Sequence, residues 1–298
     1  MVKRRALAAL ACGFLIAQPP AWAEGLALQR VAWRELRYTA HKMGMSATVD
    51  VRLDDSAVPR SDLAEGATAP VPGDGLLLES TTRLPGRVFF ARERIDPAQA
   101  MVRRIVDTET GAKYHRKTYT LTSHGFLLEV LEPASRAESK LAPERWTRAA
   151  RTYTPYPREL AEGVPITGPI GLLYAASAAS LSSPGDELTV LVLVQTHVER
   201  VTLRVEGVET VALQFEERSG SMVTEVHEQR SGLRLVARSR PVDPSSTSAF
   251  RIFGLGGDVE LLWDPVRRLP LEIAGNVTML GRVHVRLAAV TLRRGGRS

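Results

Sequence analysis

Apolar and polar side chains alternate with a period of two along most of this 298-residue chain. A strand with one buried and one wet face requires that alternation, because successive side chains point to opposite sides of a sheet. Ala47, Val49, Val51 and Leu53 alternate with Thr48, Asp50 and Arg52, and Val201, Leu203 and Val205 with Arg200, Thr202, Arg204 and Glu206. The pattern returns in Val211–Phe215, Val259–Trp263, Leu269–Ile273 and Val283–Leu287. Turn-forming groups separate the runs: Lys42-Met43-Gly44, Leu84-Pro85-Gly86, Asp107–Gly111 and His124-Gly125. Many short strands at hairpin spacing predict a mainly β protein, built as an antiparallel, strongly curved sheet or an incomplete barrel.

One stretch breaks the rule. Ile166–Leu181 is apolar with a helical period, and the spacing predicts a single packed α-helix over about 168–181. Thr167 or Gly168 can cap it, Pro169 suits its first position, and Ser183-Pro184-Gly185-Asp186 stops it. Ile170, Leu173, Tyr174, Ser177 and Leu181 line one side. We expect that side to pack on the sheet and close one mouth of its curve. Leu188–Val194, nearly all apolar, reads as a strand covered on both faces. Met222–Gln229 and Leu233–Arg238 read as a hairpin about Ser231-Gly232, and the phase shift at Ala288-Ala289 as a bulge. Glu144–Arg151, behind Pro143, suits two turns of helix, and Ser56–Gly75 reads as a loop.

The N-terminus reads as a secretory signal peptide over residues 1–23. Lys3, Arg4 and Arg5 precede the apolar run Ala6–Ala17, and Ala21-Trp22-Ala23 forms a small-residue cleavage site before Glu24. Cleavage there lowers the formal charge from +6 to +3 and removes Cys12, the only cysteine. Basicity then gives no reason to expect nucleic acid, and neither a disulfide nor thiol chemistry is expected. A periplasmic location follows as the expectation, with no transmembrane segment in the mature chain. Residues 24–298 are expected to form one β-rich domain in two halves: a first strand set over 24–132, a proline-rich crossover over 133–165, and the helix with a second strand set over 166–293.

The search for chemistry finds no catalytic, cofactor-binding or metal-binding constellation. The six histidines are scattered, with no two at zinc-ligand spacing; His115 and His124 flank a predicted strand. There is no nucleophile elbow, and Gly254-Leu255-Gly256-Gly257-Asp258 precedes a strand rather than the helix a phosphate loop needs. Paired acids such as Glu216-Glu217 fall on solvated strand faces, and nothing in the sequence gives the separation a glycosidase pair needs. Aromatic residues remain as candidate ligand or partner contacts: Trp33, Tyr153, Tyr156, Tyr174 and Trp263.

The segment Ile170-Gly171-Leu172-Leu173-Tyr174-Ala175, followed by Leu181–Asp186, resembles part of the bacterial exported family named domain of unknown function 3108. Val201–Val211, Leu262-Trp263-Asp264-Pro265, Arg268–Ile273 and Val283–Leu292 are similar to later parts of that family, and Leu36–Leu53 to its opening strands. The resemblance covers mainly 166–293. It implies a periplasmic, mostly β protein of undefined biochemical role, and it brings no catalytic residues. The expected function is therefore an exported envelope protein, non-enzymatic, that binds a lipid, a glycan or a protein partner. The alternative is a periplasmic hydrolase acting on a cell-wall or glycan substrate, which needs acids, or a histidine with an acid, converging in a cleft.

Overall fold

The computed structural model describes residues 30–55, 75–96, 101–160, 166–246 and 250–293. The first half is a run of eight strands: β1 (Trp33–Lys42), β2 (Met45–Asp54), β3 (Leu76–Leu84), β4 (Arg87–Asp96), β5 (Met101–Thr110), β6 (His115–Leu121), β7 (Gly125–Glu132) and β8 (Arg148–Pro155). Each pairs antiparallel with the next in chain order. The short strand β9 (Ile166–Thr167) leads into the helix α1 (Gly171–Ala178). The second half holds β10 (Glu187–Val194), β11 (His197–Ser219), β12 (Met222–Pro241), β13 (Arg251–Ile252), β14 (Leu255–Asp264), β15 (Leu269–Val277) and β16 (Gly281–Leu292).

All sixteen strands belong to one mostly antiparallel sheet, in which β16 joins the halves by pairing with β1 on one edge and β15 on the other. Where β15 ends, the far part of β11 takes its place beside β16: Glu216, Glu217 and Arg218 run parallel to Ala289, Val290 and Thr291. Strands β16, β15, β14, β12 and β11 thus return to their start, and the sheet partly closes into a ring. The bend that lets β11 reach back sits at a bulge between Val205 and Gly207, where an extra residue kinks the strand. The bulge expected at Ala288-Ala289 is present too: Arg37 faces Ala289 while Tyr38 faces Leu287, so Ala288 is left over.

Several local expectations are corrected. Ser231-Gly232 is no turn. β12 runs unbroken through it, opposite Thr210 and Glu209 of β11. The glycine reflects close packing instead: a Cβ on Gly232 would lie 3.2 Å from both Leu262 and Val211 side chains. Glu144–Arg151 is not a helix. Two short 3₁₀ turns, Glu138–Lys140 and Pro143–Arg145, precede β8, which gains its hydrogen bonds from β7. Asp107–Thr110 belong to β5, and the chain turns only at Gly111–Tyr114. The expected loop at Ser56–Gly75 lies outside the described residues except for Gly75.

The helix is shorter than expected and more deeply placed. All eight residues of α1 are buried, so it has no solvent face. It contacts β10 and β15, while β9 in front of it lies against β5. Trp33 of β1, fully buried, donates its indole N–H to Ser177 Oγ at 2.8 Å, and that hydroxyl donates to the Leu173 carbonyl. Large apolar side chains from both halves, including Leu36, Leu78, Ile105, Phe126, Leu203, Leu261 and Trp263, join α1 in one continuous core. Each such side chain contributes about 1.5–3 kcal/mol when withdrawn from water.

Candidate functional site

The core does not fill the molecule evenly. At the end where the hairpin turns gather, a cleft of about 880 Å³ separates the β3–β5 face from the turns of the second half. One wall carries Ser80, Thr82, Arg87, Phe89, Ala91, Glu93, Asp107 and Glu109. The other is made by Pro169 and Ile170 before α1, Gln195 between β10 and β11, Arg251–Gly254 around β13, and Val277–Thr278. Alternation explains the first wall: Arg87, Phe89, Ala91 and Glu93 are every second residue of β4, and Asp107 and Glu109 lie in phase on β5. Gln195 and Phe253 both hold left-handed backbones, with φ of 54° and 53°, as the first residues of the two-residue turns β10–β11 and β13–β14.

Glu93 is the structural pivot. It is fully buried, and its carboxylate accepts the backbone N–H of Ile170 at 2.8 Å and of Gly171 at 2.9 Å, with Gly168 as a further donor. The start of α1 has no side-chain cap of its own, so a carboxylate from a strand 77 residues earlier supplies it. This replaces the expected capping by Thr167 or Gly168. Gly168 and Gly171 make the approach possible: a Cβ would lie 2.3 Å from Glu93 Oε1 at the first and 1.8 Å from Thr167 Oγ1 at the second. Burial pushes the Glu93 carboxyl up to about 8; the Asp107 charge adds to the rise, and the N–H donors oppose it.

Asp107 faces Ala91 across the β4–β5 ladder, one diagonal step from Glu93, and faces Lys117 of β6 on its other side. Burial raises its carboxyl to about 6, with Lys117 pulling down. Glu109 is engaged by Arg87 at 2.5 Å and sits 3.9 Å from His115 Nδ1. Burial and the Lys117 charge depress His115, while Glu109 and Glu132 oppose the shift. The carboxyl groups of the cleft therefore differ. Glu93 is committed to the helix and Glu109 to an arginine, whereas Asp107 shows no hydrogen bond among the described residues and lines open space.

The aromatic candidates lie elsewhere, and none lines the cleft. Trp33 is hydrogen-bonded to Ser177 of α1, Tyr174 is a buried residue of that helix, and Trp263 is buried on β14. Burial raises the Tyr174 hydroxyl to about 12. Tyr156 packs on Phe126, and Tyr153 is 52% exposed on the edge strand β8. Of the two flanking histidines, His115 comes beside the cleft and His124 is exposed. No group of three or more His, Cys, Asp or Glu that could hold a metal occurs among the described residues. Glu93 escaped sequence reading because a carboxylate in a strand run looks like a solvated residue, and Asp107 and Glu109 because their segment reads as a turn. The usable signal was phase: Glu93 shares its parity with Ala91 and Ile95, and Asp107 with Ile105.

No family model matches the chain, so the resemblance to the 3108 family has no such match behind it, and no curated protein matches either. Among solved structures, it is similar to a β-barrel-like protein of domain of unknown function 1849 from Brucella abortus. Identity is 11% and the TM-score 0.47, with 89% of this chain and 99% of that one covered.

Proposed function

We propose that this chain is an exported, periplasmic envelope protein that holds a polar, glycan-like ligand in the cleft without transforming it. The observation that carries this reading is the uncommitted Asp107 carboxylate on the wall of an open cleft. Around α1 the described apolar side chains form one buried cluster, which disfavours a lipid held there. The cleft suits a sugar instead. Phe89 and Phe253 offer apolar faces, while Ser80, Thr82, Asp107, Gln195 and Thr278 offer hydroxyl, amide and carboxyl groups.

Hydrolysis is the weaker reading. Acid–base work on a glycosidic bond needs two carboxyls free to exchange protons at a set separation. Here Glu93 is held by backbone donors and Glu109 by Arg87, leaving only Asp107. Export is supported by the basic start, the apolar run and the Ala21-Trp22-Ala23 site, and protein purified from cells should begin at Glu24. A native mass-spectrometry screen of soluble cell-wall glycan fragments tests the binding. The reading expects retained glycan complexes at unchanged fragment mass. Cleaved fragments would restore the hydrolase, and failure of every fragment to bind would end the glycan assignment.

A further inference from the structure

Three hairpins that are consecutive in the sheet, β3–β4, β1–β2 and β15–β16, turn at the same end as the cleft. Their tips are apolar and exposed: Met43 is 77% and Met279 97% exposed, with Met45, Leu84 and Val88 also exposed. Met43 and Met279 hold left-handed backbones, with φ of 49° and 71°. Turns of that kind favour Asn, Asp or Gly, and a bulky residue there is strained. Each methionine is thus unfavourable twice, in backbone conformation and in exposure to water. Neither packs into the core, so folding gives no reason for either.

The charged residues within the tip segments themselves have one sign. From Ala40 to Val49, Thr81 to Phe90 and Val277 to Val285 there is no Asp or Glu, while Lys42, Arg83, Arg87 and Arg282 are present. Arg83, Arg87 and Arg282 reach acids on the strand bodies, Asp50, Glu109 and Glu260. Lys42 has no ion-pair partner among the described residues and stands beside Met43. The tip of the β11–β12 hairpin makes a useful contrast. It exposes Met222 and Val223 as well, but Glu216, Glu217 and Glu225 lie close by in the ladder.

We infer that the row of tips formed by Leu84, Val88, Met43, Met45 and Met279 seats the protein on a lipid bilayer bearing anionic headgroups, with the cleft mouth toward the membrane. Shallow insertion of a few apolar side chains flanked by cations is how peripheral proteins hold to such surfaces. The inference stands on the tips alone and survives if the cleft takes no glycan.

Flotation of the purified protein with vesicles tests it. The expected result is binding to phosphatidylethanolamine vesicles that contain phosphatidylglycerol, weakened by salt and weaker still on phosphatidylcholine alone. Met43→Asn with Met279→Asn should lower vesicle binding about tenfold. Because asparagine suits both turns, the same double variant should melt no lower than the parent, which separates lost binding from lost folding. Met222→Asn at the opposite tip should bind as the parent does. Failure of the parent to float with either vesicle, or undiminished binding by the double variant, overturns the inference. So does a concentration-dependent dimer, without flotation, that the double variant converts to monomer, since the tips would then serve a second copy of this chain.

Discussion

The inward faces of the two halves use the same alternation for different ends. Along β10–β16 the inward residues are Val201, Leu203, Leu235, Val259, Leu261, Ile273 and Val285, all buried in the core that α1 joins. Along β3–β5 the inward face begins the same way, with Leu76, Leu78, Ile95 and Ile105, then changes toward the hairpin end to Ser80, Thr82, Glu93, Asp107 and Glu109. Periodicity decides that a strand forms and which residues face inward. The chemistry placed on those positions decides whether the space becomes core or cleft. Glu93 stands at the border, inward like its apolar neighbours but spent on holding the helix.

The largest difference between the halves should appear on truncation. Trp263→Ala empties a fully buried site and should cost about 3–5 kcal/mol in urea unfolding, against about 1 kcal/mol or less for Thr82→Ala on the cleft wall. Equal losses would mean that the cleft wall is as tightly packed as the ring. At the border, Gly171→Ala drives a methyl group into Thr167 and Glu93 and should cost about 2–3 kcal/mol. Gly207→Ala, in open space at the β11 bulge, should stay within about 0.5 kcal/mol.

A further effect follows from proton linkage. Burial holds the Glu93 and Asp107 carboxyls at about 8 and about 6, above the ordinary 4.5 and 3.8 of such groups. The folded state therefore binds more protons than the unfolded state over that window. Their contribution is fully present below about pH 4 and is lost as pH rises through about 6 and then about 8. Melting temperature should decline across that range, and Glu93→Gln, though less stable overall, should lose the upper part of the decline. A melting temperature that rises from pH 6 to 8 would contradict the placement of these acids. Asp107→Asn removes the other raised carboxyl, so it should lose the lower part of the decline and melt no lower than the parent at neutral pH, the carboxylate having no hydrogen-bond partner among the described residues to lose.

Much of the architecture was legible in the sequence. The first hairpin, with Met43-Gly44 at its turn, the single helix and the bulge at Ala288 follow from local chemistry and phase. The errors came where long-range pairing overrides local signals. Ser231-Gly232 looks like a turn, yet β12 continues because β11 and β14 hold it on both edges. Asp107–Gly111 is rich in turn formers, yet Asp107 and Glu109 are held in strand by β4 and β6. That misassignment also hid the site, since residues assigned to a turn are not assigned a face. The cap of α1 was invisible for a simpler reason: its carboxylate is distant in sequence and meets the helix only once the first half folds over it.

Calorimetric titration of the protein and of Asp107→Asn with the cell-wall glycan fragments it retains tests the central claim most directly. We predict at least a tenfold weaker affinity for Asp107→Asn at a melting temperature no lower than the parent's, consistent with loss of one charged hydrogen bond in a cleft that stays intact. Equal affinity in the two proteins would contradict the assignment of the cleft as the binding site.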